Sequence, residues 1–221
     1  MNCVFDADCR LCPRLAAFLD AKRIEEPDYY NLPVAPFGDP KAKLLIVGLA
    51  PGMHGANRSG RPFTGDHAGI LLYATLHKFG LASAPVSVSV DDGLALIDAR
   101  ITNAVKCLPP ANKPLPVEIR DCNDYLRAEL EASPDVRVIV ALGTIAHAAV
   151  LRALKLAPPR FSFAHGAEHQ LPDERTLLDS YHCSRYNTQT RRLTADMFEA
   201  VFRRGRELMQ KPNDEQRSSA V

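Results

Sequence analysis

The run Ala42-Lys-Leu-Leu-Ile-Val-Gly-Leu-Ala50 decides the fold class of this 221-residue chain. It is almost entirely apolar, which is typical of a β-strand covered on both faces. Three further short runs have the character of strands, at 101–106, 136–142 and 176–181. Helical patterns fill the intervals between them, and parallel strands need crossover connections of that length. The order predicts a single α/β domain, a three-layer sandwich around a four-stranded, mainly parallel sheet.

The remaining composition is that of an ordinary globular protein. The hydrophobic share of 46% and the charged share of 24% exclude a disordered chain, a collagen-like repeat and a pure coiled coil. No apolar run reaches membrane-spanning length, and the first residues lack the basic start and apolar stretch of a secretion signal. We therefore expect a cytoplasmic protein in which residues 1–209 form one domain and residues 210–221 form a polar, disordered tail.

The segment after the first predicted strand is the most unusual of the chain. It reads Gly48-Leu-Ala-Pro-Gly-Met-His-Gly-Ala-Asn-Arg-Ser-Gly-Arg-Pro-Phe-Thr-Gly-Asp66 and contains five glycines. Ligands of open α/β sheets bind beyond the carboxyl ends of the strands, glycines let a backbone approach them, and His54, Arg58 and Arg61 offer donors to anions. A long flexible loop has the same composition. A phosphate loop is excluded, because Arg61-Pro62 stands where Lys-Ser or Lys-Thr is required.

The six cysteines raise the question of metal binding, because disulfides are rare in the cytoplasm. A Cys-x2-Cys pair near the N-terminus and a second pair far along the chain suit a tetrahedral metal or an iron–sulfur cluster. The four cysteines concerned are Cys9, Cys12, Cys107 and Cys122. Their spacing does not choose between zinc and iron–sulfur, and cysteines that pack as small hydrophobic residues are a third interpretation. Cys3 and Cys183 remain as non-ligands.

Three motifs together resemble the uracil-DNA glycosylases, and among them the iron–sulfur-containing family 5. The motifs are the loop 48–66, Thr102-Asn-Ala-Val-Lys-Cys107 with the following Pro-Pro-x-Asn-Lys-Pro114, and Ser180-Tyr-His-Cys-Ser-Arg-Tyr-Asn-Thr188. The cysteine spacing matches as well. The resemblance implies an enzyme that flips uracil, and other deaminated bases such as hypoxanthine, out of DNA and hydrolyses the N-glycosylic bond. It also implies a structural [4Fe–4S] cluster held by the four paired cysteines, in an N-terminal iron–sulfur segment of the domain.

The resemblance also implies which residues bind the flipped base. Phe63 matches the residue that stacks on it, although a core phenylalanine is the alternative. Asn103 would read the edge of the base, since an amide offers both a donor and an acceptor to uracil N3–H and O4. Gly48, Ala50 and Pro51 complete the predicted base-binding set.

Two residues are expected to perform the chemistry. Cleavage builds positive charge on the sugar and negative charge on the departing base, so a site must oppose both charges. His182 matches the histidine that donates to uracil O2. Asp66 is expected to activate the water or to stabilise the sugar cation, and it is also suited to cap the following helix. In most branches a carboxylate or amide near Pro51 activates the water, whereas this chain has Gly52-Met53.

The predicted partner is DNA, either double-stranded or single-stranded. The protein is expected to bind it as a monomer and not to associate with a membrane. Ser184, Arg185 and Tyr186 are expected on the loop that enters the minor groove, and Arg58 is a further expected DNA contact. Cys183 departs from the family, in which proline follows the histidine. The net charge of +1 conceals six arginines against two acids between residues 185 and 206, a local +4.

Two other functions fit parts of the sequence. A module of the same fold that binds damaged DNA without cleaving it is consistent with Gly52 and Cys183. An unrelated iron–sulfur oxidoreductase is consistent with the cysteines alone, but the chain lacks a dinucleotide-binding fingerprint.

Overall fold

The computed structural model describes residues 5–210, and the expected tail lies outside them except for Gln210. In that part of the chain the helices are α1 (Pro13–Glu25), α2 (Ala56–Ser59), α3 (His67–Lys78), α4 (Pro116–Glu131), α5 (Thr144–Ala153), α6 (Arg185–Gln189) and α7 (Ala195–Met209). The strands are β1 (Phe37–Gly38), β2 (Leu44–Gly48), β3 (Ala99–Asn103), β4 (Val138–Leu142), β5 (Glu168–Gln170) and β6 (Thr176–Ser180).

These strands form one mixed sheet of six in the order β1-β3-β2-β4-β6-β5. The central four are mutually parallel and are the four that the sequence predicts. The expected count of four is nevertheless too low, because β1 and β5 add short antiparallel strands at the two edges. Edge strands of two and three residues are too short to show a hydrophobic period, which explains why the sequence does not predict them.

The sheet is covered on both faces, as the apolar character of its strands requires. Successive residues of β2 point to opposite faces, so Leu44 and Ile46 join the core under α3 and α7, whereas Leu45 and Val47 join the core under α4 and α5. The five residues of β2 and of β4 are all buried. The result is the expected three-layer arrangement. No helix within residues 5–210 is long and apolar enough to cross a membrane.

Helix boundaries follow local capping chemistry. Asp66 caps α3, since its Oδ1 accepts a hydrogen bond from the Gly69 N–H at 2.8 Å. Helix α7 begins at Ala195, where the Thr194 hydroxyl accepts a hydrogen bond from the Met197 N–H at 3.2 Å. Arg191 has a left-handed φ of 57°, which interrupts the helical path between α6 and α7.

Candidate active site

A pocket of about 760 Å³ opens at the carboxyl ends of the parallel strands. Its walls are formed by the loop after β2, the end of β3, the start of α5 and the segment after β6. Phe63, Asp66, Asn103 and His182 all line it. Four residues predicted from three separate motifs therefore meet in one place, because parallel strands bring their carboxyl ends to a common edge.

Gly48 forms the floor beneath the two residues that are expected to hold the base. A Cβ at this position would overlap Asn103 Oδ1 and would lie 2.6 Å from Phe63 Cζ. Only glycine therefore lets the aromatic ring and the amide approach this end of β2. Gly48 supports the pocket from below, whereas Ala50 lies in its wall. Pro51 is buried and is not among the residues that line the pocket.

Two buried polar atoms at the pocket have no hydrogen-bond partner among the described residues. They are Asn103 Oδ1 and His182 Nδ1. Leaving a buried polar atom unpaired costs about 1–3 kcal/mol, so such atoms are rare unless a ligand satisfies them. Their presence in one pocket indicates a site built for a polar, hydrogen-bonding ligand.

The His182 imidazole is neutral at neutral pH. Burial lowers its pKa from 6.5 to about 4, since a charged imidazolium would lose its hydration. The ring stacks against Phe63, with centroids 5.9 Å apart and an angle of 27° between the planes. A neutral imidazole in this position donates a hydrogen bond without giving up a full proton.

Asp66 is both a helix cap and a pocket carboxyl group. Burial raises the pKa of this carboxyl, and the hydrogen bonds from the N–H groups of Gly69 and Ala68 oppose that rise only in part. Its Oδ2 lies toward Gly55, where a Cβ would lie 2.7 Å from the Asp66 Cβ. The same residue therefore fixes the start of α3 and presents a carboxyl oxygen of increased basicity.

The residues expected to contact DNA lie around the pocket mouth or near it. Ser184 and Arg185 line the pocket, and the Ser184 hydroxyl caps α6 by accepting from the Asn187 N–H at 3.4 Å. Tyr186 is 70% exposed at the first turn of α6. Arg58 is exposed beside the Tyr29 ring, 5.5 Å from its centroid, and does not line the pocket.

Most of the arginines between residues 185 and 206 do not face the pocket. Arg204 pairs with Glu168 at 2.7 Å, and Arg206 lies 3.8 Å from Asp98. Arg185 and Arg192 line the pocket, and Arg192 lies 4.6 Å above the ring of Tyr181. The local +4 of the sequence therefore overstates the charge that faces a ligand.

Arg61 is not a donor to an anion at this site. Only 5% of it is exposed, and its guanidinium is bonded to Asp92 at 2.7 Å. His54 is exposed in the pocket wall, with its Nδ1 at 2.9 Å from the Tyr29 hydroxyl. The composition of the loop did not distinguish these two environments, because the partners lie in distant segments.

Several residues of the pocket wall were not predicted from the sequence. Thr144 and Ile145 follow Gly143, whose φ of 95° turns the chain from β4 into α5. The turn lies at the end of a parallel strand, where ligands of α/β sheets bind, and that position was the available signal. Phe163 and Asn187 also line the pocket, and Asn187 Nδ2 donates to the His182 carbonyl at 2.8 Å.

The four paired cysteines converge on one recess between α1, the end of β3 and α4. Burial and the neighbouring thiols raise the pKa of Cys12 to about 11, and the same causes raise that of Cys107. Within residues 5–210, the only group of three or more His, Cys, Asp or Glu residues whose ligand atoms all lie within 4.8 Å of one another is His147, His169 and Asp179. Tetrahedral zinc holds sulfurs about 3.8 Å apart, given Zn–S bonds of about 2.3 Å. No three of the four described thiol sulfurs lie within 4.8 Å of one another, which is wider than this tetrahedral spacing.

His147, His169 and Asp179 form a hydrogen-bonded group. His147 Nε2 faces the carbonyl oxygen of Phe161 at 2.9 Å and its Nδ1 faces Asp179 Oδ1 at 2.7 Å. Both facing atoms are acceptors, so the protonated ring of His147 satisfies both of them and keeps no free lone pair for a metal. Burial lowers the pKa of His147, but the hydrogen bond and charge of Asp179 outweigh it and raise the pKa above 6.5.

Cys183 is completely buried and packs in the core under α3 and α7. Burial, with a smaller contribution from the charge of Asp66, raises the pKa of its thiol well above the ordinary range. A protonated, enclosed thiol is unreactive. Cys183, at the position where the resemblance implies proline, therefore serves as a small apolar side chain. Cys3 lies outside the described residues.

Comparison with known proteins places this geometry in context. Residues 35–204 match the model of the uracil DNA glycosylase superfamily. The chain is 49% identical over 205 residues to a type-5 uracil-DNA glycosylase of Thermus thermophilus, covering 90% of this chain and 93% of that relative. It is 42% identical over 201 residues to a type-5 uracil-DNA glycosylase of Pyrobaculum aerophilum, covering 89% and 87%. A type-4 uracil-DNA glycosylase of Archaeoglobus fulgidus is 40% identical over 110 residues, about half of each chain.

Proposed function

Because this chain belongs to the uracil DNA glycosylase superfamily, we propose that it removes uracil from DNA by hydrolysing the N-glycosylic bond, leaving an abasic site. The observation that carries the proposal is the pair of unpartnered polar atoms, Asn103 Oδ1 and His182 Nδ1, in a pocket walled by Phe63. A pyrimidine base offers a flat face for the ring and polar edges for the amide and the imidazole. A base within a duplex cannot reach such a pocket, so the enzyme must flip it out of the stack.

The residues of the pocket divide the work of binding and chemistry. Phe63 stacks on the flipped base, and the Asn103 amide pairs with its N3–H and O4. Gly48 and Ala50 give the base its floor and wall, and Pro51 shapes the loop behind them. This arrangement selects a base by its hydrogen-bonding edge, since an unsatisfied amide in the pocket would be costly.

The reaction breaks the bond between C1′ of the sugar and N1 of the base, with the electron pair leaving on the base. Neutral His182 donates a hydrogen bond to O2 and stabilises the developing negative charge. Burial makes the Asp66 carboxylate more basic. It stabilises the sugar cation and accepts a proton from the attacking water. The water oxygen forms the new bond to C1′. The departing base takes up one proton from solvent, and Asp66 returns the proton of the water to solvent.

DNA is bound by the rim of the pocket. Arg185 and Arg58 neutralise phosphates, Ser184 contacts the backbone, and the exposed ring of Tyr186 fills the space that the flipped base leaves. We further propose that the protein acts as a cytoplasmic monomer on double-stranded and single-stranded DNA. Hypoxanthine and other deaminated bases are proposed as additional substrates.

The four converging cysteines are proposed to hold a structural [4Fe–4S] cluster. Cys9 and Cys12 would tie the start of α1 to Cys107, after β3, and to Cys122, on α4. Thiolates are the ligands that such clusters require. The cluster would cross-link these segments, and its iron would offset the four negative charges of the thiolates.

Base release tests the function. A duplex with one uracil is incubated with excess protein, and abasic sites are measured by strand cleavage after alkali. We expect complete release of uracil and none of thymine from the same sequence context. Intact DNA after prolonged incubation would overturn the enzymatic proposal, and retained binding would then favour the non-catalytic module. Parallel duplexes with hypoxanthine and xanthine, and single strands with uracil, define the substrate range.

Metal analysis tests the cluster. Protein purified without oxygen should contain iron and acid-labile sulfide in equal amounts, and Cys107→Ser should lose both. A colourless protein that contains zinc would contradict the cluster while leaving the glycosylase proposal untouched.

A further inference from the structure

Phe63 holds a backbone conformation that it would not adopt alone. Its φ of 55° lies in the left-handed region, which costs an L-residue about 1–2 kcal/mol. Its carbonyl oxygen packs directly on the backbone of Gly69, where any Cβ would overlap it. Strain of this kind persists only where surrounding contacts impose it, and it is concentrated at functional sites.

The residues next to Phe63 are held by side chains from outside the loop. The Tyr73 hydroxyl donates to the Pro62 carbonyl at 2.7 Å, and the Thr64 and Ser87 hydroxyls are 2.7 Å apart. Arg61 makes the largest set of contacts. Its Nη1 donates to Ser87 Oγ at 3.0 Å and to Asp92 Oδ1 at 2.7 Å.

The remaining face and edge of the Arg61 guanidinium are also occupied. Nη2 donates to the Val90 carbonyl at 2.6 Å, and the group lies 4.4 Å above the ring of Phe37. Lysine cannot reproduce this fork of donors, because its ammonium is a single point of charge. Arg61 therefore joins the pocket loop to the segment 87–92 by several bonds of fixed direction.

Asp92 is built to receive this guanidinium. Its carboxylate also accepts from the N–H groups of Val88 at 2.8 Å and Leu94 at 3.0 Å. Burial alone would raise the pKa of Asp92, but the bonds from Arg61 and these N–H groups hold it well below its usual range. The side chains of Arg61 and Asp92 are 5% and 10% exposed, so the pair is both buried and charged.

We propose that Arg61, through its buried pair with Asp92, is the positioning residue that holds Phe63 in its left-handed conformation against the flipped base. The inference rests on the proposed glycosylase function and deepens it. Arg61 does not line the pocket, so it contributes through Phe63 and makes no contact with DNA. Its loss changes how the base is held and leaves the affinity for the DNA backbone unchanged.

The experiment measures the single-turnover rate constant and the protein concentration at half-saturation for a uracil-containing duplex. Arg61→Lys should lower the rate constant about 10- to 100-fold, the range expected for a small displacement of a reacting group. The half-saturating concentration should change less than about twofold. Asp92→Asn keeps the size of the side chain and should lower the rate constant by a smaller factor, again with little change in the half-saturating concentration. This variant tests the proposal if Arg61→Lys does not fold.

Arg100→Lys is the matched control. Arg100 also bonds a buried carboxylate, Glu129 at 2.9 Å, and a backbone carbonyl, Gly38 at 3.2 Å, but it does not line the pocket. This variant should lose stability and keep the wild-type rate constant. A rate constant for Arg61→Lys within twofold of wild type, or an equal loss in Arg100→Lys, would overturn the proposal.

A double-mutant cycle tests whether Arg61 affects the rate constant through Phe63. Because Arg61 acts through Phe63, Arg61→Lys should cause no further loss in a Phe63→Leu background. Independent, multiplying losses would overturn the proposal. Wild-type protein that releases no uracil would instead overturn the function itself, so the two failures are distinguishable.

Discussion

His147 and His182 are two enclosed histidines with opposite chemistry. Both nitrogens of His147 are hydrogen-bonded, and Asp179 raises its pKa above 6.5. His182 lies three residues after Asp179, has no partner for Nδ1 among the described residues, and has a pKa of about 4. Burial acts on both rings, so the difference comes from the carboxylate beside one of them.

The comparison shows how a fold reserves a residue for its ligand. The polar groups of His147 are satisfied within the protein, which ties α5 to β6 and fixes the scaffold. The Nδ1 of His182 has no partner among the described residues, which costs stability and leaves the imidazole available to the substrate. Substitution of each histidine distinguishes these two uses of an enclosed imidazole.

The largest effect is expected at the unpartnered histidine. His182→Ala should lower the single-turnover rate constant for uracil release about 10²- to 10³-fold, the usual cost of removing one donor to a developing negative charge. Its free energy of unfolding should stay near the wild-type value, because the lost packing against Phe63 is offset by removal of the unpaired Nδ1. Urea denaturation and base release measure the two quantities. A stable variant with wild-type activity would exclude His182 from the chemistry.

The partnered histidine should show the reverse pattern. His147→Ala leaves the Asp179 carboxylate with the weaker contact to His169 at 3.1 Å, so it should lose about 2–4 kcal/mol of unfolding free energy. The rate constant of the folded fraction should stay within about threefold of wild type. Unchanged stability in urea would show that the buried pair does not support the scaffold.

The smallest expected effect concerns how the free energy of unfolding depends on pH, to which the two histidines contribute in opposite ways. The folded-state pKa of His147 is raised, so its stabilisation is complete below pH 6.5 and is lost as pH rises through the folded value. The pKa of His182 is lowered, so stability falls from about pH 6.5 down to about pH 4 as the unfolded chain binds the proton. Urea denaturation across pH should show a weaker alkaline loss in His147→Ala and a weaker acid loss in His182→Ala. Parallel profiles in both variants would contradict the assignment.

Much of the fold could be predicted because its signals are local. Each central strand is a short run of apolar residues, and the predicted and observed ranges differ by a few residues at most. The residue type of Asp66 is enough to predict the start of α3, because aspartate is favoured at helix N-caps. The edge strands β1 and β5 carry no such signal, and the turn between α6 and α7 depends on the left-handed Arg191.

The candidate site was predictable to the extent that its residues belong to motifs. Asp66 and His182 meet in the pocket as expected, and so do Phe63 and Asn103. The resemblance did not indicate that Pro51 and Arg58 lie outside the wall of the pocket. Nor could composition show that the C-terminal arginines largely face away from it, because ion pairs such as Arg204 with Glu168 join residues 36 positions apart.

The sequence by itself determined the order of the four central strands with helices between them, the motifs and the family to which the chain belongs. Only the tertiary structure decided which polar atoms are satisfied. Arg61 looks like an anion donor in the loop, yet it is committed to Asp92, 31 positions away, whereas His182 has no such partner for its Nδ1 among the described residues. The physical reason is that burial and hydrogen bonding depend on atoms brought from distant segments, and these set the charge and freedom of each side chain.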